Sequence, residues 1–117
     1  MMEHQINELM ERSSDELYEM AGKELYGKSA FAFPTNPQKL IRMGKEYLGM
    51  QREKLKGAIC SNKLITEYLK SPKVQNRVAV IAAIADILTA AAIEVSPVTA
   101  SVLIFKEGLE SLCTQTP

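Results

Sequence analysis

The sequence predicts an all-α fold, a compact bundle of five to six helices in one domain spanning 1–117. Three observations predict it. Apolar residues recur at alternating spacings of three and four along most of the chain. Asn36-Pro37, Ser71-Pro72 and Ser96-Pro97 each set a capping side chain before a proline suited to the first helical position. No stretch alternates apolar and polar residues for long enough to argue a strand. The bundle is expected to form around Val78–Phe105, in which only Asp86 and Glu94 carry charge.

The first pattern covers residues 2–26, with Met2, Ile6, Leu9, Ser13, Leu17, Met20 and Leu25 on or near one face. Ser13 followed by Glu16 forms a capping box that opens a helix at Ser14. The spacing alone leaves open one long helix or two with a break at Ser13-Ser14. Gly27 supplies a stop. The loop 27–36 contains Pro34, which forbids a continuous helix, and two of the three Phe residues, Phe31 and Phe33. They either plug one end of the bundle or present a partner-binding segment.

A second long helix is expected from Pro37 to about Lys56. Ile41, Gly44, Leu48, Gln51, Leu55 and Ala58 form its inward stripe. Gly44 on that stripe lets another helix approach closely. Gly49 weakens the helix and Gly57 is a candidate break. A short helix follows over about 62–70, with Ser61 as its cap. The two remaining Ser-Pro devices then predict helices over about 72–93 and 97–113, joined by a tight turn.

The 72–93 helix is apolar nearly all round after Arg77, and seven of the sixteen residues from Val78 to Ile93 are Ala. Such a helix is expected to be central and closely packed. The last helix is amphipathic. Val98, Val102, Phe105, Leu109 and Leu112 share one side, and Lys106, Glu107 and Glu110 fall on the other.

Composition narrows the function. Lys plus Arg and Asp plus Glu balance at fourteen each, which argues against the basic face that nucleic acid requires. The chain has no Trp and few other aromatic residues for stacking on bases. His4 is the only His, so neither a His-based metal site nor His-dependent nucleophilic catalysis is expected. No cofactor is implied. Cys60 and Cys113 are far apart and are read as two separate small core residues, which favours a reducing compartment. With an N-terminus that lacks the order of a signal peptide, this points to the cytoplasm.

Gly22–Ser29 matches the spacing of a phosphate-binding loop. That chemistry needs a preceding strand and a following helix, and the pattern places the motif at a helix end. Asp15 with Glu19 and Glu107 with Glu110 lie on patterned polar faces and read as solvated surface. Asp86, alone in an apolar helix, either meets water or a cation, or anchors a partner. A membrane-inserting hairpin built on 78–105 is an alternative. Against it, the sixteen residues of Val78–Ile93 reach only about 24 Å, and Asp86 stands at their middle.

These readings converge on a non-enzymatic helical interaction module: an adaptor, a chaperone-like protein or a regulatory subunit. It would bind a protein partner or itself, and neither nucleic acid nor membrane. The candidate contact residues are Phe31, Phe33, Asp86, Val102 and Leu109. Nucleotide binding through Gly22–Ser29 is the remaining, disfavoured alternative.

Overall fold

The structure, a computed structural model, describes residues 2–27 and 36–113. Seven α-helices and one 3₁₀ turn account for most of them, one or two helices more than expected, and no strand occurs among the described residues. They run in the order α1 (Met2–Met10), α2 (Ser14–Gly27), α3 (Pro37–Cys60), α4 (Lys63–Lys70), the 3₁₀ turn Val74–Asn76, α5 (Arg77–Ala90), α6 (Pro97–Lys106) and α7 (Leu109–Cys113).

Capping chemistry explains where the helices begin. The capping box separates α1 from α2: the Glu16 backbone N–H donates to Ser13 Oγ at 3.1 Å, and Ser13 Oγ donates to Glu16 Oε1 at 3.3 Å. Asn36 Oδ1 accepts from the Lys39 backbone N–H at 2.9 Å and starts α3. Ser96 Oγ accepts from the Thr99 N–H at 3.3 Å and starts α6. The short helix α4 departs from expectation, because Asn62 caps it, accepting from the Ile65 N–H at 3.1 Å. Ser61 instead ends α3. Gly57 does not break α3, which runs past it to Cys60. Ser71-Pro72 does not open α5 either. Ser71 closes α4, and α5 begins only at Arg77, after the 3₁₀ turn.

Antiparallel α2 and α3 form the longest packed pair, and their contact depends on glycine. A Cβ at Gly44 would stand 2.3 Å from the Tyr18 carbonyl oxygen, and one at Gly22 would stand 2.0 Å from the Leu40 carbonyl oxygen. The close approach expected at Gly44 is therefore present, and Gly22 is its counterpart one helical turn away on α2. Farther along α3 the buried stripe drifts by one position. Ile59 is buried and Ala58 exposed, because the true helical period carries the inward face past a strict three-four count.

The core draws Ile6, Leu17, Leu48, Ile59, Ile65 and Ile81 from five different helices, each almost wholly buried. At about 1.5–3 kcal/mol for each fully buried side chain, these contacts are the main stabilising force of the fold. The central helix is α6 rather than α5, which corrects the expectation from sequence. Six consecutive residues, Thr99 to Ile104, are buried, so α6 is covered on every side. Within it the buried Ser101 hydroxyl donates to the Val98 carbonyl at 2.8 Å. In α5 only Val80, Ile81, Ile84, Ala85 and Leu88 are buried. Alanine makes a helix read as apolar but offers little area to bury, so the larger side chains of α6 take the centre.

The link from α5 to α6 is fixed from two sides. Tyr47 Oη accepts the Glu94 backbone N–H at 2.7 Å, and Glu24 Oε2 accepts the Ser96 N–H at 2.7 Å. α5 ends in a Schellman motif: the Ile93 N–H reaches the Leu88 carbonyl and the Ala92 N–H reaches the Thr89 carbonyl. Ala92 occupies the left-handed position, φ 53°, where glycine is the usual residue. Ala92→Gly is therefore expected to raise stability by about 1 kcal/mol, read as a higher urea midpoint.

The expected C-terminal helix is broken in two at Gly108, which adopts φ 120°. The break turns Leu109 and Leu112 inward, both buried, against α3 and α6. At the last residue of α6, Lys106 Nζ donates to the Met10 carbonyl at 3.2 Å and also to the Arg12 carbonyl, so it closes the C-terminal end of α1.

The cysteines are joined. Cys60 ends α3 and Cys113 ends α7, and they form a disulfide with Cα atoms 5.4 Å apart across 53 positions of sequence. Reading them as two separate thiols is corrected, and the cysteines no longer argue for a reducing compartment. Sequence distance misled because α7 doubles back onto the end of α3.

Candidate interaction surface

α5 presents two apolar faces to two different surroundings. One holds the core residues named above. On the other, Ala79, Asp86 and Ala90 are exposed and Ala83 is half-buried, all within a narrow arc of the helix. Asp86 stands near the middle of this outer face. Among the described residues it has no ion-pair or hydrogen-bond partner. Arg77 lies nine residues earlier, about half a turn round the helix, and does not approach it.

The other sequence-predicted contact residues are not brought to this face. Val102 has no exposure and Leu109 only 3%, so both belong to the core and their assignment as docking residues is corrected. The physical reason is the wrapping of α6 by neighbours on all sides, together with the turn at Gly108. Phe31 and Phe33 lie outside the described residues.

The sequence pattern places Gly22–Ser29 at a helix end rather than in a phosphate-binding loop, and its described part lies there. Gly22–Gly27 are six residues of α2, so no loop is there to curl round a phosphate, and Gly22 is pressed against the Leu40 backbone. The carboxylate pairs are also accounted for. Glu19 meets Lys23 at 3.3 Å and Asp15 meets Lys45 at 3.9 Å, both exposed enough to contribute little to stability. Glu107 instead pairs with a residue of α2, the buried Tyr18.

Burial first, then the Glu107 charge and the hydrogen bond that the Tyr18 hydroxyl donates to it, push the Tyr18 phenol from 10.0 up to about 12; nearby Arg52 opposes this and Asp15 adds to it. The folded state thus holds this proton more tightly than the unfolded chain. The resulting stability is fully present below pH 10 and is lost as pH rises towards about 12. Urea midpoints measured over this range should fall more steeply for the wild-type chain than for Tyr18→Phe. Equal slopes would remove Tyr18 as the cause.

Two features were not read from the sequence. A cleft of about 270 Å³ lies between α1 and the start of α5, floored by Ile6, Met10, Val78 and Ile81. Val74, 74% exposed, stands on its rim. The sequence hides it because Ser71-Pro72 predicts a helix from 72 onwards, where the chain instead makes the 3₁₀ turn Val74–Asn76. The second is the apolar outer arc of α5, concealed because an Ala-rich helix reads as fully covered. Among the described residues, no helix is long and apolar enough to cross a membrane, and no group of three His, Cys, Asp or Glu side chains is placed to hold a metal. Comparisons with protein families, curated proteins and solved structures find no match to this chain.

Proposed function

We propose that this chain is a non-enzymatic helical interaction module, an adaptor or regulatory subunit whose outer α5 face receives a helix from a protein partner or a second copy. The observation that carries this reading is the outer arc of Ala79, Ala83 and Ala90, which leaves α5 as apolar towards solvent as towards the core. A helix of that composition is normally covered on all sides. Small side chains let an incoming backbone approach closely. The single carboxylate of Asp86 selects for a cation on the incoming helix, and it opposes a symmetric pairing that would bring two copies of itself together.

The test is the double substitution Ala79→Lys with Ala90→Lys. Both positions are exposed, so helicity and thermal midpoint should stay close to wild type. Light scattering after size-exclusion chromatography should show assembly, or co-purification of one stoichiometric partner, for the wild-type chain. The variant should lose at least about tenfold in that affinity, roughly 1.4 kcal/mol. A wild-type chain that stays monomeric across a wide concentration range and retains no partner would refute the reading.

A further inference from the structure

The two cysteines join the last residue of the longest helix to the last residue of the shortest. α7 has five residues, too few to hold a helix without tertiary support. It is preceded by Gly108, whose φ of 120° makes that position a ready hinge. Leu109 and Leu112 are buried on its inner side. Arg52 Nη2 reaches the Gly108 carbonyl only at 3.4 Å, and Arg52 Nε is buried without a partner among the described residues. Both cysteines are half-buried rather than enclosed, and exchange requires a thiol to reach one of the sulfurs. Beside α7 lies a cleft lined by Tyr68, Leu69, Phe105 and Leu109, in which the Tyr68 and Phe105 rings stand 5.7 Å apart. Leu109 forms one wall of it.

We infer that the Cys60–Cys113 bond is a redox-operated latch on α7. An external dithiol is the reductant. Its thiolate attacks one sulfur to form a mixed disulfide, and its second thiol then closes on the first. The dithiol leaves as a disulfide, having supplied two electrons and two protons, and Cys60 and Cys113 become thiols. Freed of the bond, α7 turns about Gly108, carries Leu109 and Leu112 to solvent, and opens the Tyr68–Phe105 cleft as an apolar groove. α1 to α6 keep their packing, because it rests on the buried apolar side chains that these helices share. This inference does not rest on the α5 reading.

The test is hydrogen exchange with mass-spectrometric readout on the whole chain, oxidised and then reduced with dithiothreitol. Exchange at 109–113 should quicken by at least about tenfold on reduction. Helical circular dichroism should be retained, and an apolar dye should gain fluorescence. Cys60→Ser with Cys113→Ser should behave as the reduced protein without reductant, and reoxidation of the wild type should restore protection. Unchanged protection at 109–113 would overturn the latch. So would global unfolding on reduction or in the variant, which would make the bond a staple of the whole fold. Free thiols in air-oxidised protein would overturn it as well.

Discussion

Gly44→Ala should lower stability by about 3 kcal/mol or more, with a fall in Tm of about 10 °C, and Gly22→Ala should do at least as much damage. The added methyl group would meet backbone: the Tyr18 carbonyl oxygen 2.3 Å from position 44, and the Leu40 carbonyl oxygen 2.0 Å from position 22. Backbone atoms inside two packed helices cannot step aside as the end of a flexible side chain can. The helices must separate, and separation loosens the packing of Leu17, Leu40 and Leu48 along the same pair. Alanine is the better helix former by about 1 kcal/mol, so an isolated helix would predict the opposite sign. The other glycines of α3 supply the control. Nothing lies within 4 Å of a Cβ at Gly49 or Gly57. Gly49→Ala and Gly57→Ala should each raise stability by about 1 kcal/mol. Urea unfolding of the four variants decides the matter. If all four were stabilised, the α2–α3 contact would be looser than those distances require.

The contrast among these glycines shows how much of the fold was legible. The stripe through Ile41, Gly44 and Leu48 marked Gly44 as a contact position, because helical periodicity assigns a residue to a face. Gly22 lies in a more polar stretch, and only the register of two antiparallel helices sets it opposite Leu40. The same division runs through the chain. Local chemistry announces itself: the caps at Ser13, Asn36 and Ser96 all form as the residue order requires. Relations that arise from three-dimensional wrapping do not. Periodicity gave Val102 and Leu109 an apolar side, which identifies a buried surface but not whether its cover is this chain or another. Asp86, the one charge inside α5 after Arg77, sits in solvent because alanine, unlike leucine, can line a face that water reaches. The apolar outer arc of α5 was therefore concealed by the same alanines that compose it.

Breaking the Cys60–Cys113 bond is expected to cost about 4 kcal/mol against global unfolding, a large share of the roughly 5–15 kcal/mol that holds a typical domain together. The bond spans 53 positions, and a loop of that length greatly restricts the unfolded chain while adding little to the native contacts. Two effects act in opposite directions. Cutting the cross-link lets the unfolded chain expand, which destabilises the fold and should steepen the dependence on urea as more surface is exposed. It also gives the native state freedom at α7, which returns part of that loss. The net effect should be a lower urea midpoint for the reduced protein than for the oxidised one. Cys60→Ser with Cys113→Ser should match the reduced midpoint and ignore reductant. Residual contacts between the two ends of this loop in the unfolded chain would shrink the effect, because a loop already closed gains little from a covalent tie. Identical midpoints with and without reductant would mean that the bond does not restrain the unfolded chain at all. The size of the shift therefore measures how far α3 and α7 separate when the protein unfolds, whereas the exchange at 109–113 measures how far they separate while it remains folded.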